Sequence, residues 1–254
     1  MSDAPTMDPA TSVEGLLTLA RTRAKAGDAE GAGRTFAAAL HLAETHNLWG
    51  PTARAQAWLA DIDVRRGRLP LARQRLDQAR ALCLAHPVAP DIRAEVAAQL
   101  GQVLLFQGHA GAGVALMAEA VGLFRDLNRT AERDELELAI AAVLSRVDQA
   151  VRDTPERSTD RVRALVRRAE VRLGVGNSAG ARADLSTAWS GATSLSSAFR
   201  TRVGLDYSRL LIAAGTHHHA AALAVLQAVR PLASPDTHAE VDALVGRLNG
   251  AAEN

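Results

Sequence analysis

Several stretches of the chain carry side chains that could bind or react. His217-His218-His219 is the densest set of potential metal ligands. Ligands on a helix favour a spacing of four, which puts both on one face. Consecutive helical residues diverge by about 100°, so three neighbours cannot face one ion. The run reads as a solvated turn opening a helix, with weak metal binding or a pH-sensitive contact as the alternative. Gly174-Val175-Gly176-Asn177-Ser178-Ala179-Gly180 has the glycine content of a phosphate-binding loop. Such a loop follows a strand and opens a helix whose N-terminus faces the phosphates. A helical pattern precedes this one, and the same holds around Gly108 to Gly113. Lys25 is the only lysine, so no Walker lysine is available.

The segment after Pro155 carries Arg157, Arg161, Arg163, Arg167, Arg168 and Arg172 against Glu156, Asp160 and Glu170. Arg157, Arg161, Arg168 and Arg172 fall along one side of a helix. That side is either a solvated face with partial ion pairs or a contact for an anion or acidic peptide. Asp134, Glu135 and Glu137 cluster near a helix start, where acidic groups complement the helix dipole. There is no G-x-S-x-G, no H-E-x-x-H and no Cys–His pair in a catalytic context. Cys83 is alone, which excludes an intrachain disulfide and a cysteine-rich zinc site, and it reads as a buried thiol. No catalytic residue, cofactor or metal is expected, and the reading is a non-enzyme.

The elements that must position these groups are helices. Hydrophobic residues make up 48% of 254, enough for a core, but aromatics only 3%. The apolar content is carried by Ala and Leu, which favour helix over strand. A formal charge of +1 gives no bulk attraction to nucleic acid. No segment approaches the roughly 18 unbroken apolar residues of a membrane span, and the start lacks the regions of a signal peptide. A soluble, cytoplasmic protein is the expectation.

In chain order, residues 1–10 read as a flexible N-terminus and 251–254 as a tail. Between them lies one helical domain, 11–250, with a subdivision at 11–129 and 130–250 as an option. Thr11 and Ser12 are candidate caps for a first helix. Glycines at 27, 67 and 108 break successive helices 40 and 41 positions apart. Around them recur Leu16, Leu19 and Ala20, then Ala32, Phe36 and Ala39; Leu59 and Ala60, then Ala72, Leu76 and Ala79; Leu100, Gly101 and Leu104, then Gly113, Met117 and Ala120. The next such glycine is Gly176, 68 positions on. The gap holds a long helix from about Ala131 to Arg152, with Thr130 as cap. Thr154 and Pro155 are expected to start the following helix. Pairing resumes around Gly176 and Gly215, and Ser234-Pro235 opens a last helix.

The spacing resembles the tetratricopeptide repeat, whose units follow W-x2-L-G-x2-Y, a turn, then A-x3-F. Leu100-Gly101 with Leu104 matches the first part. Ala32 with Phe36, Ala72 with Leu76 and Gly113 with Met117 match the second. Repeats near 40 residues exceed the usual 34 and look like a lengthened type found in sensory and regulatory arms of bacterial proteins. The resemblance implies an all-α, right-handed superhelical solenoid of antiparallel helix pairs. Five hairpins, one long extra helix and a C-terminal capping helix are expected.

In the family, the first helix of each hairpin lines a groove. By position, this implies Arg21, Lys25, Arg54, Trp58, Asp61, Arg65, Gln99, Gln102, Phe106, Arg163, Arg167, Glu170, Arg202 and Arg209. An arginine-rich lining favours an acidic or carboxylate-bearing peptide, because the planar guanidinium pairs two oxygens. The family's chaperone-tail clamp depends on Lys and Asn, and Leu17, Arg21 and Trp58 depart from it. The expected function is a scaffold or adaptor for a partner protein or peptide. The alternatives are a regulatory subunit that closes on a small signal and, last, a helical enzyme. The apolar stripe Leu136, Ile140, Val143, Val147 and Val151 is either core or a surface for homodimerisation. No membrane partner is expected, and nothing favours nucleic acid.

Overall fold

A computed structural model describes residues 8–156 and 158–250. Among them are twelve α-helices and no strand: α1 (Pro9–Lys25), α2 (Ala29–Thr45), α3 (Trp49–Arg65), α4 (Leu69–Ala85), α5 (Pro90–Phe106), α6 (Ala110–Asp126), α7 (Thr130–Asp153), α8 (Thr159–Gly174), α9 (Ser178–Gly191), α10 (Ser197–Ala213), α11 (His219–Val229) and α12 (Pro235–Gly250). The chain divides into two compact units, residues 1–140 and 141–254. The first holds the hairpins α1/α2, α3/α4 and α5/α6. The second holds α8/α9 and α10/α11, followed by α12. The long helix α7 runs from one unit into the other. The five hairpins, the extra long helix and the terminal helix are those expected from the sequence.

Each of four hairpins is built by one register. Gly27, Gly67, Gly108 and Gly176 take φ between 73° and 85°, a conformation that glycine adopts without steric cost. Seven positions before the turn stand Ala20, Ala60, Gly101 and Ala169; five after it stand Ala32, Ala72, Gly113 and Ala181. All eight are buried. Small residues facing each other let the two backbones approach. The approach is closest in α5/α6, where a Cβ on Gly101 would meet Met117 Cγ at 2.7 Å and the Gly113 carbonyl at 2.8 Å. Nine positions after the turn, Phe36, Leu76, Met117 and Leu185 fill the groove beside that crossing and are almost fully buried.

Several boundaries differ from expectation. Asp8, not Thr11 or Ser12, caps α1: its carboxylate accepts from the Thr11 N–H at 3.2 Å, and Pro9 takes the first helical position. Thr130 is the first residue of α7 rather than its cap. Thr154 does not start α8. Its hydroxyl donates back to the Ala150 and Val151 carbonyls at the end of α7, and Ser158 caps α8 by accepting from the Arg161 N–H at 3.1 Å. Asn47 and Asn128, in the connections α2–α3 and α6–α7, take φ of 54° and 55°. Asparagine tolerates that region best after glycine, and spacing alone does not mark Asn128 as a turn residue.

The α7 stripe is largely core. Leu136, Val147 and Val151 are buried. Leu136 joins a cluster with Ala97, Met117 and Phe124 in the first unit, with Ile140 packed against it. Val151 joins Val162, Leu165 and Ala169 in the second. These side chains are engaged within the chain, so the stripe as a whole is not free for homodimerisation; Val143 is half-buried. In the first unit, Arg129 ties this region together by donating to Glu95 on α5 at 2.9 Å and to Glu132 on α7.

Candidate functional site

In the first unit the anticipated groove residues form a stripe on α1, α3 and α5. They stand thirteen, nine, six and two positions before the turn glycines, interleaved with the buried small residues. Arg21 and Lys25 on α1 are exposed, and the Arg21 guanidinium lies 5.0 Å from the Trp58 ring centre. Trp58 is half-buried and packs at 5.0 Å and 57° against Phe36. On α3, Arg54 bonds Asp91 at 2.7 Å and approaches Glu14 at 3.8 Å, so it ties the three first helices together. Arg65 is exposed and pairs with Asp61 one turn back at 2.9 Å. On α5 the stripe changes character. Gln99 is half-buried, with Oε1 buried and without a hydrogen-bond partner. Gln102 is exposed, and Phe106 is 66% exposed. Soluble proteins scatter single exposed apolar residues, but Phe106 is one of only four phenylalanines here.

In the second unit the anticipated residues separate. Arg163 is exposed and pairs with Asp160 at 3.3 Å. Arg167 is exposed and has no carboxylate partner among the described residues. Glu170, Arg202 and Arg209 come together with Asp206, which sequence reasoning missed. Arg202 bonds Glu170 at 2.7 Å and lies 3.8 Å from Asp206; Arg209 bonds Asp206 at 3.1 Å and Glu240 of α12. This row of alternating charge edges a cavity of about 410 Å³ between α8, α9 and α10. Val166, Ala169, Leu173, Leu185, Leu210 and Ala213 supply its apolar wall. The volume is within the range of ligand pockets. Burial raises the affinity of the Asp206 carboxyl for its proton above that of an ordinary aspartate, and the opposing pull of Arg209 and Arg202 does not offset it.

The basic face of α8 is consumed internally. Asp184 on α9 is nearly inaccessible and accepts from Arg168 at 2.6 Å and from Arg172 at 2.8 Å; both arginines also reach Asp148 on α7. The Asp184 hydrogen bond, foremost, raises the Arg168 guanidinium's affinity for its proton. Arg161 donates to the carbonyls of Val151 and Thr154, at the end of α7. Arg161, Arg168 and Arg172 therefore hold the fold and are not presented to an anion. Arg157 lies outside the described residues.

The remaining motifs resolve locally. Thr216–His218 forms a short 3-10 turn before α11. His218 lies 3.2 Å from an Arg182 Nη, and its ring centre is 4.1 Å from that of His217. Among the described residues no group of three or more His, Cys, Asp or Glu could hold a metal ion, and no helix is long and apolar enough to cross a membrane. Gly176 sits in a helix–helix turn, preceded by α8 rather than a strand. Asp134 pairs with Arg133 at 2.6 Å, and Glu137 with Arg125 at 3.7 Å. Burial raises the affinity of the Cys83 thiol for its proton.

No family model matches the chain, and no curated protein matches it. Solved structures do. The TPR2AB domain of yeast Sti1 in complex with pHSP90 is 14% identical, with 94% of this chain and 99% of that chain covered and a TM-score of 0.40. A tetratricopeptide repeat protein from Parabacteroides merdae is 16% identical, with 96% and 88% covered and a TM-score of 0.35. The assembly chaperone of RpL4, Acl4, is 17% identical, with 97% of each chain covered and a TM-score of 0.40. The hairpins themselves, with their turn glycines and small residues at each crossing, are those of an all-α, tetratricopeptide-like helical repeat.

Proposed function

We propose that the protein is a non-enzymatic scaffold that binds a partner protein or peptide on the exposed stripe of its first helices. The observation that carries this reading is the stripe in the first unit. Arg21, Gln102 and Phe106 are exposed, and the half-buried Trp58 lies beside Arg21 while its ring packs on Phe36. Aromatic and arginine side chains dominate binding energy at protein interfaces because they bury much area with a polar end still available.

An acidic ligand is supported less well than the arginine count implied. Arg54, Arg65, Arg163, Arg202 and Arg209 each have a carboxylate already. An acidic peptide would have to displace those partners. Arg21, Lys25 and Arg167 remain as cations without a carboxylate partner among the described residues.

The test is selection of binding peptides from a displayed library, followed by affinity measurement. Arg21→Ala combined with Trp58→Ala, and separately Phe106→Ala, should each weaken the selected peptides about tenfold or more, the scale of an interface anchor. Unchanged affinity for every selected peptide sinks the first-helix reading.

A further inference from the structure

We propose that the cleft between α8, α9 and α10 binds a free α-amino acid with an apolar side chain. The site belongs to the second unit and does not depend on the peptide-binding reading of the first.

The charges that line the cleft balance: two carboxylates, Glu170 and Asp206, and two guanidiniums, Arg202 and Arg209. They form a row of alternating sign. Arg202 Nη2 donates to Glu170 on α8 at 2.7 Å, and Arg209 Nη1 donates to Asp206 Oδ1 at 3.1 Å. The row is open in the middle. Arg202 Nε and Asp206 Oδ2, one turn apart on α10, stand 3.8 Å from each other, too far for a hydrogen bond. Neither has another hydrogen-bond partner among the described residues. A cationic donor and an anionic acceptor are thus both unfilled at one point of the edge.

A ligand with one charge fills one of these groups and leaves the edge with a net charge. A zwitterion fills both: its carboxylate accepts from Arg202, its ammonium donates to Asp206, and the two outer pairs and the neutrality of the edge are kept. Hydrogen bonds between ionised groups are the strong ones. An α-amino acid carries its two charges on a single carbon, which suits groups 3.8 Å apart. The side chain on that carbon remains for the wall, where Val166, Leu173, Leu185 and Leu210 gain by covering an apolar group.

The probes are L-leucine, its two half-charged analogues 4-methylpentanoate and 3-methylbutylamine, and glycine. Each is titrated against the full chain by saturation-transfer NMR to about 10 mM, past the weak end of specific binding. Leucine should bind best. The other three should bind about tenfold more weakly, each for want of one charged bond or of the buried side chain. Asp206→Asn should weaken leucine and strengthen 4-methylpentanoate, because the edge then carries one positive charge. Arg202→Gln, at a side chain 62% exposed, should weaken leucine and strengthen 3-methylbutylamine. A merely structural role for either residue would weaken every probe together. Circular dichroism establishes that both variants fold. Binding of leucine no tighter than that of either half-charged analogue or of glycine, no exchange of preference in the two variants, or no binding by any probe overturns the proposal. Arg21→Ala with Trp58→Ala should leave leucine binding intact, so failure of the first-helix reading is read separately.

Discussion

The hairpins of the first unit and the α8/α9 hairpin of the second place different chemistry at one equivalent pair of positions. The pair lies four residues before and eight after the turn glycine. In α1/α2 it is Arg23 donating to Thr35 at 2.7 Å. In α3/α4 it is Asp63 accepting from Arg75 at 2.9 Å, with Arg68 paired to the same carboxylate at 2.5 Å. In α5/α6 it is Leu104 and Leu116 in one apolar cluster. In α8/α9 the charges are reversed, with Arg172 on the first helix and Asp184 on the second at 2.8 Å. The hairpin demands only that the two side chains suit each other. Because each pair has its own chemistry, a wrong pairing is penalised: α3 against α9 would oppose Asp63 to Asp184, and α8 against α4 would oppose Arg172 to Arg75. Repeats with near-identical cores need such marks to choose their partners.

The largest expected effect is at the most buried of these pairs. Asp184→Ala leaves Arg168 and Arg172, 17% and 22% exposed, with only the Asp148 carboxylate. It should cost about 3–5 kcal/mol, as for a buried ion pair that loses one member, read from urea unfolding. Asp63→Ala should cost less, about 1–3 kcal/mol, because its donors reach water more readily: Arg68 is 47% and Arg75 27% exposed. Equal losses would break the comparison.

The apolar pair of α5/α6 gives a sharper test. Asp63→Leu and Arg75→Leu together install the Leu104/Leu116 chemistry in α3/α4. Either change alone should destabilise, and the pair should recover about 1–3 kcal/mol of the summed loss. Recovery will be incomplete, because Arg75 also donates to the buried Gln56 at 3.2 Å. Next in size is Gly101→Ala. Ala60 occupies the same position in α3 without difficulty, but at Gly101 the new methyl meets a carbonyl at 2.8 Å. A cost of about 1–3 kcal/mol is expected, against a gain of about 1 kcal/mol from helix propensity alone. A stabilised Gly101→Ala protein would show that the crossing is looser than its geometry.

These pairs mark the limit of what the sequence discloses. The glycines at 27, 67, 108 and 176, with small residues at fixed offsets, make the hairpins legible, because turn conformation and close approach each admit few residue types. The long helix is legible from the gap between Gly108 and Gly176 and from its apolar stripe, and the terminal helix from Ser234-Pro235. The candidate site is legible only as a stripe. Which arginines are free depends on partners 12 to 37 positions away, such as Asp184 for Arg172 and Asp91 for Arg54. Helical periodicity carries no information about those. Asp206 is invisible in sequence because a carboxylate between two arginines on one helix looks like ordinary surface pairing. Only the cavity beside it makes it distinctive.

The smallest predicted effect lies at the α10–α11 turn, where the second unit departs from the register of the first. Gly215 takes φ 113°, and a 3-10 turn replaces the direct start of the returning helix. His218 sits there against His217 and Arg182. Of the first three hairpins only α5/α6 has a histidine beside its turn glycine, His109, and that residue is exposed. Burial, then His217 and Arg182, lower the affinity of His218 for a proton relative to the unfolded chain. A histidine shifted in that direction contributes stability that is complete above its unfolded value, near 6.5. That stability is lost as the pH falls below it, because the unfolded state then binds more protons. The wild-type thermal midpoint should therefore fall between pH 7.5 and 5.5 by more than that of His218→Gln, which keeps an acceptor for Arg182 without the charge. An equal fall in wild type and His218→Gln would assign the acid sensitivity elsewhere and return the turn to the same standing as the glycine turns of the first unit.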